Sequence, residues 1–217
     1  MSLSLDQVSF AYPDGPVVLE KASITFEAGS FTIVQGLSGA GKSTLLRLLC
    51  RLEEAQSGRI LFNGQPIETM APADLRRSVA YVQQMPTLLS SSVRENLLLP
   101  FSFKANVGLN RPSDEVLTSH LESFLLSGVT LESEATRLSV GQAQRICLVR
   151  SLLLDPEIVL LDEPTASLDA ESAGVVLEKA AELGRGGMTV IMISHSQTMP
   201  EGVTHVVTIK DRSLERA

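Results

Sequence analysis

The stretch Gly36-Leu37-Ser38-Gly39-Ala40-Gly41-Lys42-Ser43-Thr44 constrains this chain more than any other. It fits the spacing G-x-x-x-x-G-K-[ST] and lies between two segments of different periodicity. Phe31-Thr32-Ile33-Val34-Gln35 before it is an apolar, β-branched run suited to a buried strand. After it, Leu45, Leu46, Leu48, Leu49 and Leu52 recur as the apolar stripe of a helix, with Arg47 and Arg51 on another face. Three glycines let the backbone between them curl tightly and bring its N–H groups close to a phosphate chain. The start of the helix adds free N–H groups and the positive end of its dipole. Lys42 supplies a point charge for terminal phosphates, and the Ser43 hydroxyl a ligand for Mg²⁺. The loop is expected to bind a nucleoside triphosphate.

A chain of 217 residues can bury a substantial core as one domain, with a subdomain inserted. Its net charge of −7 argues against nucleic acid as the principal partner, because a phosphate backbone calls for a basic face. Cys50 and Cys147 both fall inside apolar helical patterns and are expected to be buried free thiols. No basic region followed by an apolar core marks a signal peptide, and no apolar run approaches the roughly 20 residues that span a bilayer. A cytoplasmic protein is expected, with any membrane role supplied by a partner.

Along the chain, Leu3 to Phe10 alternates partly, as an outer strand would, and Pro13-Asp14-Gly15-Pro16 signals a turn. Ala22 to Glu27 reads as a second strand, turned by Ala28-Gly29-Ser30 into the strand before the loop. Arg59 to Phe62 is a strand followed by the tight turn Asn63-Gly64, and a short helix near Asp74 to Arg77 leads into the strand Val79 to Val82. From Met85 to about Leu154 the pattern is helical. Ser113 is an N-cap there, and Leu117, Leu121, Phe124 and Leu125 form a stripe that ends at Gly128. Strand–helix alternation then returns: Ile158 to Leu161 is a fully apolar strand, Glu171 to Leu183 a helix closed by Gly184, and Thr189 to Ile193 and Val203 to Ile209 late strands. The expectation is a single domain with an α/β core over about 1–84 and 155–217 and a helical insertion over about 85–154.

Two further signals surround the loop. In Leu160-Leu161-Asp162-Glu163-Pro164, acids stand at the carboxyl end of a buried parallel strand, where α/β sheets hold ligands. Asp162 is placed there to hold Mg²⁺ and Glu163 to polarise an attacking water. Leu138-Ser139-Val140-Gly141-Gln142 opens a helix, with Ser139 as N-cap leaving backbone N–H groups to meet an anion.

With these residues in order, the chain resembles an ATP-binding cassette (ABC) ATPase over nearly its whole length. Gly36 to Ser43 resembles that family's Walker A, Leu138 to Gln142 its LSGGQ signature, and Ile158 to Asp162 its Walker B with Glu163 as the catalytic carboxylate. Ser167-Leu168-Asp169 resembles the D-loop, and His195 the switch histidine. Gln84, rather than neighbouring Gln83, falls at the Q-loop glutamine, and Tyr12 where the family stacks a ring on adenine. The resemblance implies a P-loop NTPase (RecA-like) core with an N-terminal antiparallel β subdomain and an inserted α-helical subdomain. It further implies that ATP is cradled by Gly36 to Thr44 and that Mg²⁺ is held by Ser43, Gln84 and Asp162. Catalysis would fall to Lys42, Gln84, Glu163 and His195. A second copy packed head to tail would offer Ser139, Val140, Gly141, Gln142 and Asp169 to the same nucleotide.

The signature departs from its family form in one place, where Val140 replaces the first glycine. A β-branched residue accepts helical φ but not positive φ, so the change is harmless if Val140 stands in the first helical turn. A GTPase is disfavoured by the absence of an N-K-x-D stretch, and neither that class nor a small-molecule kinase predicts the signature helix. The leading expectation is the energising subunit of a transporter, docked on a separate membrane-spanning permease near Gln84 and the helical insertion. A soluble ABC ATPase of translation or DNA repair is the alternative. A binding module that no longer hydrolyses would need lost catalytic residues, yet Glu163 and His195 are present. Tyr81 to Leu89 and Val93 to Phe101 resemble, locally, a small bacterial group associated with iron export.

Overall fold

The computed structural model describes residues 1–194 and 199–216. Two sheets form its frame. The first is antiparallel, in the order β2 (Val17–Phe26), β1 (Leu3–Ala11), β4 (Ser57–Phe62), β5 (Gln65–Pro66). The second runs β10 (Ser213–Arg216), β9 (His205–Lys210), β3 (Phe31–Gly36), β8 (Thr189–Ile193), β7 (Ile158–Leu161), β6 (Val79–Val82). It is parallel from β9 to β6 and closes with β10 as an antiparallel edge.

Alternation along the parallel strands sorts their side chains into two cores. Val34, Ile158, Leu160, Ile191 and Ile193 face helix α1 (Lys42–Leu49) and the antiparallel sheet. Their neighbours Ile33, Val159, Leu161, Val190 and Met192 face the other way. There they meet α3 (Val93–Leu98), α4 (Asp114–Ser123), α5 (Val140–Leu152) and α6 (Ala170–Arg185). A sheet covered on both faces explains why these strands read as unbroken apolar runs. A short helix, α2 (Pro72–Ser78), precedes β6. Between Val82 and Ile158 the described residues hold helices and 3₁₀ turns, with one isolated bridge between Ser92 and Glu134. Residues of α3, α4 and α5 share their apolar cluster with β7, β8 and α6. Both cysteines are free and buried, as expected, and burial pushes the Cys50 thiol up to about 11.

Four expectations are corrected. Leu52 does not continue the α1 stripe: Arg51 adopts φ 54°, its N–H bonds to the Leu48 carbonyl, and Leu52 N–H reaches back to Arg47. This Schellman closure ends the helix and leaves Leu52 47% exposed. The same closure ends α4, with Leu125 at φ 49° and Leu126 N–H bonded to Leu121. Leu125 is therefore exposed, and Leu126 takes the buried place. Gly184 does not close α6, which runs on to Arg185; a Cβ at Gly184 would lie 3.3 Å from the Phe31 Cβ, so this glycine lets the helix approach β3. The β2 strand begins at Val17, earlier than expected, and the short edges β5 and β10 carried no sequence signal.

Candidate functional site

The site gathers at the carboxyl ends of β3, β6 and β7, the rim where parallel sheets leave backbone groups unpaired. Gly36 ends β3 with φ 150°, and a Cβ there would lie 2.9 Å from the Ile209 carbonyl oxygen. Gly41 has φ 97°, and its Cβ would meet a Val18 methyl at 2.2 Å. Only glycine fits these two places, and the loop between them is thereby held open. Gly41 is also the N-cap of α1 and offers no side chain to cap it, so the first N–H groups of that helix have no side-chain acceptor. Lys42 is 6% exposed, and its Nζ donates to the carbonyls of Gly36 and Leu37 at 3.1 Å each. The loop thus carries a buried cation whose only described partners are neutral carbonyls of the loop itself. Tyr12 stands beside the loop: its hydroxyl shares a hydrogen bond with Thr44 Oγ1 at 3.2 Å, and its ring meets Phe10 edge-on at 4.9 Å.

Across from the loop, Asp162 follows the last residue of β7 and is 3% exposed. Ser43 Oγ donates to its Oδ1 at 2.9 Å, and the Tyr81 hydroxyl donates to its Oδ2 at 2.7 Å. Glu163 takes φ 46°, a left-handed conformation that costs a non-glycine residue about 1–3 kcal/mol. Its carboxylate accepts a hydrogen bond from Gln84 Nε2 at 3.1 Å, so two residues 79 positions apart in sequence meet at the rim. His195 lies outside the described residues.

A Mg²⁺–nucleotide fits these residues. The cradle is one that Cβ atoms would fill, and Ser43, Asp162, Gln84 and Glu163 offer the hard oxygen donors such a cation prefers. No group of three or more His, Cys, Asp or Glu among the described residues forms a cage by itself, so phosphate oxygens would complete the set.

The signature stretch is built as a helix start. Ser139 Oγ accepts from the Gln142 N–H at 3.2 Å, while Gln142 Oε1 accepts from the Ser139 N–H at 2.9 Å. This capping box opens α5 with Val140 as its first residue, 46% exposed and with negative φ. The valine therefore meets the condition under which it replaces glycine without strain. Gly141 is needed for another reason: a Cβ there would lie 2.6 Å from Ser172 Oγ on α6. Asp169 is the N-cap of α6, and the Ser172 N–H it binds holds its carboxyl below the usual range. Among the described residues, Ser139 and Gln142 share no hydrogen-bond partner with Lys42 or Asp162.

The family model for ABC transporters matches residues 19–166. The probable iron export ATP-binding protein FetA of Escherichia coli K12 is 31% identical over 214 residues, covering 98% of this chain and 93% of that protein. The chain belongs to the ABC transporter family. Two solved structures share its fold. The ATP-binding cassette MJ0796, solved as a dimer in a post-hydrolysis state with ADP and Pi, superposes with a TM-score of 0.87 at 23% identity, covering 99% of this chain and 97% of that one. The protein cbiO1 of Clostridium perfringens, part of the ABC transporter complex cbiONQ, gives 0.81 at 27% identity, covering 99% of this chain and 87% of that one. Other curated relatives are much longer, and the chain spans only 15% and 16% of the length of two of them.

Within this ABC cassette, three polar residues missed by sequence reasoning support the rim or the start of α5. Tyr81 was visible only as a member of the strand Val79 to Val82. Gln144, 1% exposed, reaches from α5 and donates to the Gln83 carbonyl at 3.2 Å, next to Gln84. Arg145, 9% exposed, donates to the carbonyls of Gly141, Phe124 and Leu125 and so ties the signature helix to the end of α4. A Gln-x-Arg pair amid the apolar positions of a helix is the signal that could have found the last two, because buried polar side chains are retained with partners.

Proposed function

We propose that this cassette hydrolyses ATP to power a separate membrane-spanning permease, working as a head-to-tail pair of copies. The observation that carries the reading is the meeting of Ser43 with Asp162, and of Gln84 with Glu163, beside the buried Lys42. Lys42 turns from its loop carbonyls to the β- and γ-phosphates, and backbone N–H groups from Leu37 to Thr44, with Ser38 and Ala40 among them, cradle the chain. Tyr12 stacks on the adenine. Ser43, Asp162 and Gln84 would hold a bound Mg²⁺, which would supply positive charge against that developing on transfer. Glu163 orients the attacking water and accepts its proton, with Gln84 holding the carboxylate in place. His195 contacts the γ-phosphate.

The partner copy offers Ser139, Val140, Gly141 and Gln142 to that γ-phosphate, with Asp169 near the same nucleotide. Only a triphosphate completes the bridge, so hydrolysis opens the pair by removing the differential affinity that held it closed. The dimeric MJ0796 structure supports a pair in this fold. The membership of cbiO1 in a transporter complex supports a permease partner. Among the described residues no helix is long and apolar enough to cross a membrane, so the permease would hold the cassette at its cytoplasmic face. A groove of about 460 Å³ beside Gln83, lined by Leu52, Arg76, Arg77, Phe103 and Arg150, is the surface we assign to it. The near-full-length likeness to FetA supports iron export among readings of the cargo. The names of FetA and of the cbiONQ complex speak of transport, which leaves a role in translation or DNA repair with less support.

The test is Glu163→Gln. Loss of the general base should lower ATPase turnover by about 10²–10⁴-fold while MgATP still binds. Turnover within a few-fold of wild type would contradict the assignment.

A further inference from the structure

The two carboxylate oxygens of Asp162 have different partners, and only one of these follows from the loop motif. Oδ1 faces the Ser43 hydroxyl; Oδ2 takes the hydroxyl of Tyr81 at 2.7 Å. The acceptor is a carboxylate, and bonds to an ionised acceptor are about twice as strong as neutral ones. Tyr81 is the third residue of β6 and pairs in register with Leu160 of β7, so its side chain starts one strand away from the acid that it holds. Its side chain packs against the core that includes α1, and Tyr81 is also among the residues that line the groove near Arg76 and Arg77. Arg47 of α1 stands beside the same hydroxyl, which raises the pKa of the guanidinium. Asp162 is 3% exposed, so bulk water does not compete for Oδ2.

A carboxylate held at one oxygen cannot rotate about its Cβ–Cγ bond without breaking that bond. With Oδ2 fixed by the hydroxyl of a half-buried tyrosine packed against the core, Oδ1 stays directed at Ser43. Groups that hold a metal ligand in this way are worth about 10–100-fold in metal affinity. We infer that Tyr81 is a positioning residue for the divalent cation, presetting the Asp162 carboxylate so that Oδ1 and the Ser43 hydroxyl face one metal. The inference rests on the nucleotide-binding reading given above. It differs from a purely structural tyrosine, which would affect folding and nucleotide affinity alike, whether or not metal is present.

Tyr81→Phe is the substitution to use, because it keeps the ring that fills the core and lines the groove. A fluorescent ATP analogue would be titrated onto the isolated chain in EDTA and again across a series of Mn²⁺ or Mg²⁺ concentrations. The expected result is a rise of about tenfold in the metal concentration that gives half-maximal enhancement of binding. Affinity in EDTA should stay close to wild type, while the melting temperature should fall by a few degrees, because Asp162 Oδ2 loses its donor in a place that water does not reach. In an Asp162→Asn background, adding Tyr81→Phe should produce no further shift. An unchanged metal titration, an equal loss in EDTA, or a full additional shift in the Asp162→Asn background would each overturn the inference. A wild-type chain whose nucleotide binding ignores the metal would overturn the functional reading and this inference with it.

Discussion

At the phosphate loop, Lys42 is 6% exposed and already hydrogen-bonded, Ser43 is bound to Asp162, and two glycines are fixed by the backbone or side chain that approaches them. At the start of α5, Ser139 is exposed, Val140 is 46% exposed, and the side chains of Ser139 and Gln142 each bond to the other residue's N–H. The first region is assembled from three strands and a helix of one chain. The second is a helix end aimed outward, firm in itself but with nothing of this chain across from it among the bonds of Ser139 and Gln142. The contrast teaches that the loop's polar side chains find partners on distant elements of the same chain, while the side chains of Ser139 and Gln142 bond only within their own turn and stay available to a visitor. A second copy is the proposed visitor.

The largest effect should come from breaking the self-contained side. Lys42→Ala removes the loop's only lysine charge and leaves the Gly36 and Leu37 carbonyls without their donor. Loss of a buried charged partner costs about 2–5 kcal/mol, so nucleotide affinity measured by titration should fall by more than about thirtyfold. An unchanged affinity would show that the loop does not cradle phosphates.

A smaller effect tests what holds the outward side firm. Gly141→Ala places a Cβ 2.6 Å from Ser172 Oγ. Overpacking costs about 1–3 kcal/mol, and removing a helical glycine returns up to about 1 kcal/mol. Thermal unfolding should show a net loss of roughly 1 kcal/mol, recovered in part by adding Ser172→Ala, which removes Oγ but leaves the Cβ at 3.0 Å. An unchanged melting temperature would mean that the Ser172 hydroxyl turns aside and that the α5–α6 contact does not require glycine.

The smallest effect belongs to Val140→Gly. With the valine exposed in the first helical turn, ATPase activity should change by less than about tenfold, or about 1.4 kcal/mol in the barrier. A much larger gain would mark the valine as a brake on the outward side.

The sequence disclosed these two regions unequally. The loop, the apolar strand before Asp162 and the Ser139 cap were legible because each rests on local chemistry: glycine where a Cβ would clash, period-two burial, a hydroxyl three residues before an N–H. The ends of α1 and α4 were not, because their Schellman closures place Arg51 and Leu125, instead of glycine or asparagine, in the left-handed position. A reader counting apolar periods then carries Leu52 and Leu125 into a core they do not enter. The partnership of Gln84 with Glu163 and of Tyr81 with Asp162 was equally hidden, since only the alignment of β6 beside β7 brings residues some 80 positions apart to one rim.

The claim at the centre is that ATP joins the self-contained side of one copy to the outward side of another, and size-exclusion chromatography of Glu163→Gln tests it most directly. With hydrolysis stopped, the chain should run as a monomer alone or with ADP and as a dimer with ATP. Adding Ser139→Arg should return it to a monomer, because the arginine fills the phosphate site from the partner's side. A Glu163→Gln chain that binds ATP yet stays monomeric at high micromolar concentration, or a dimer that survives Ser139→Arg, would contradict the head-to-tail arrangement.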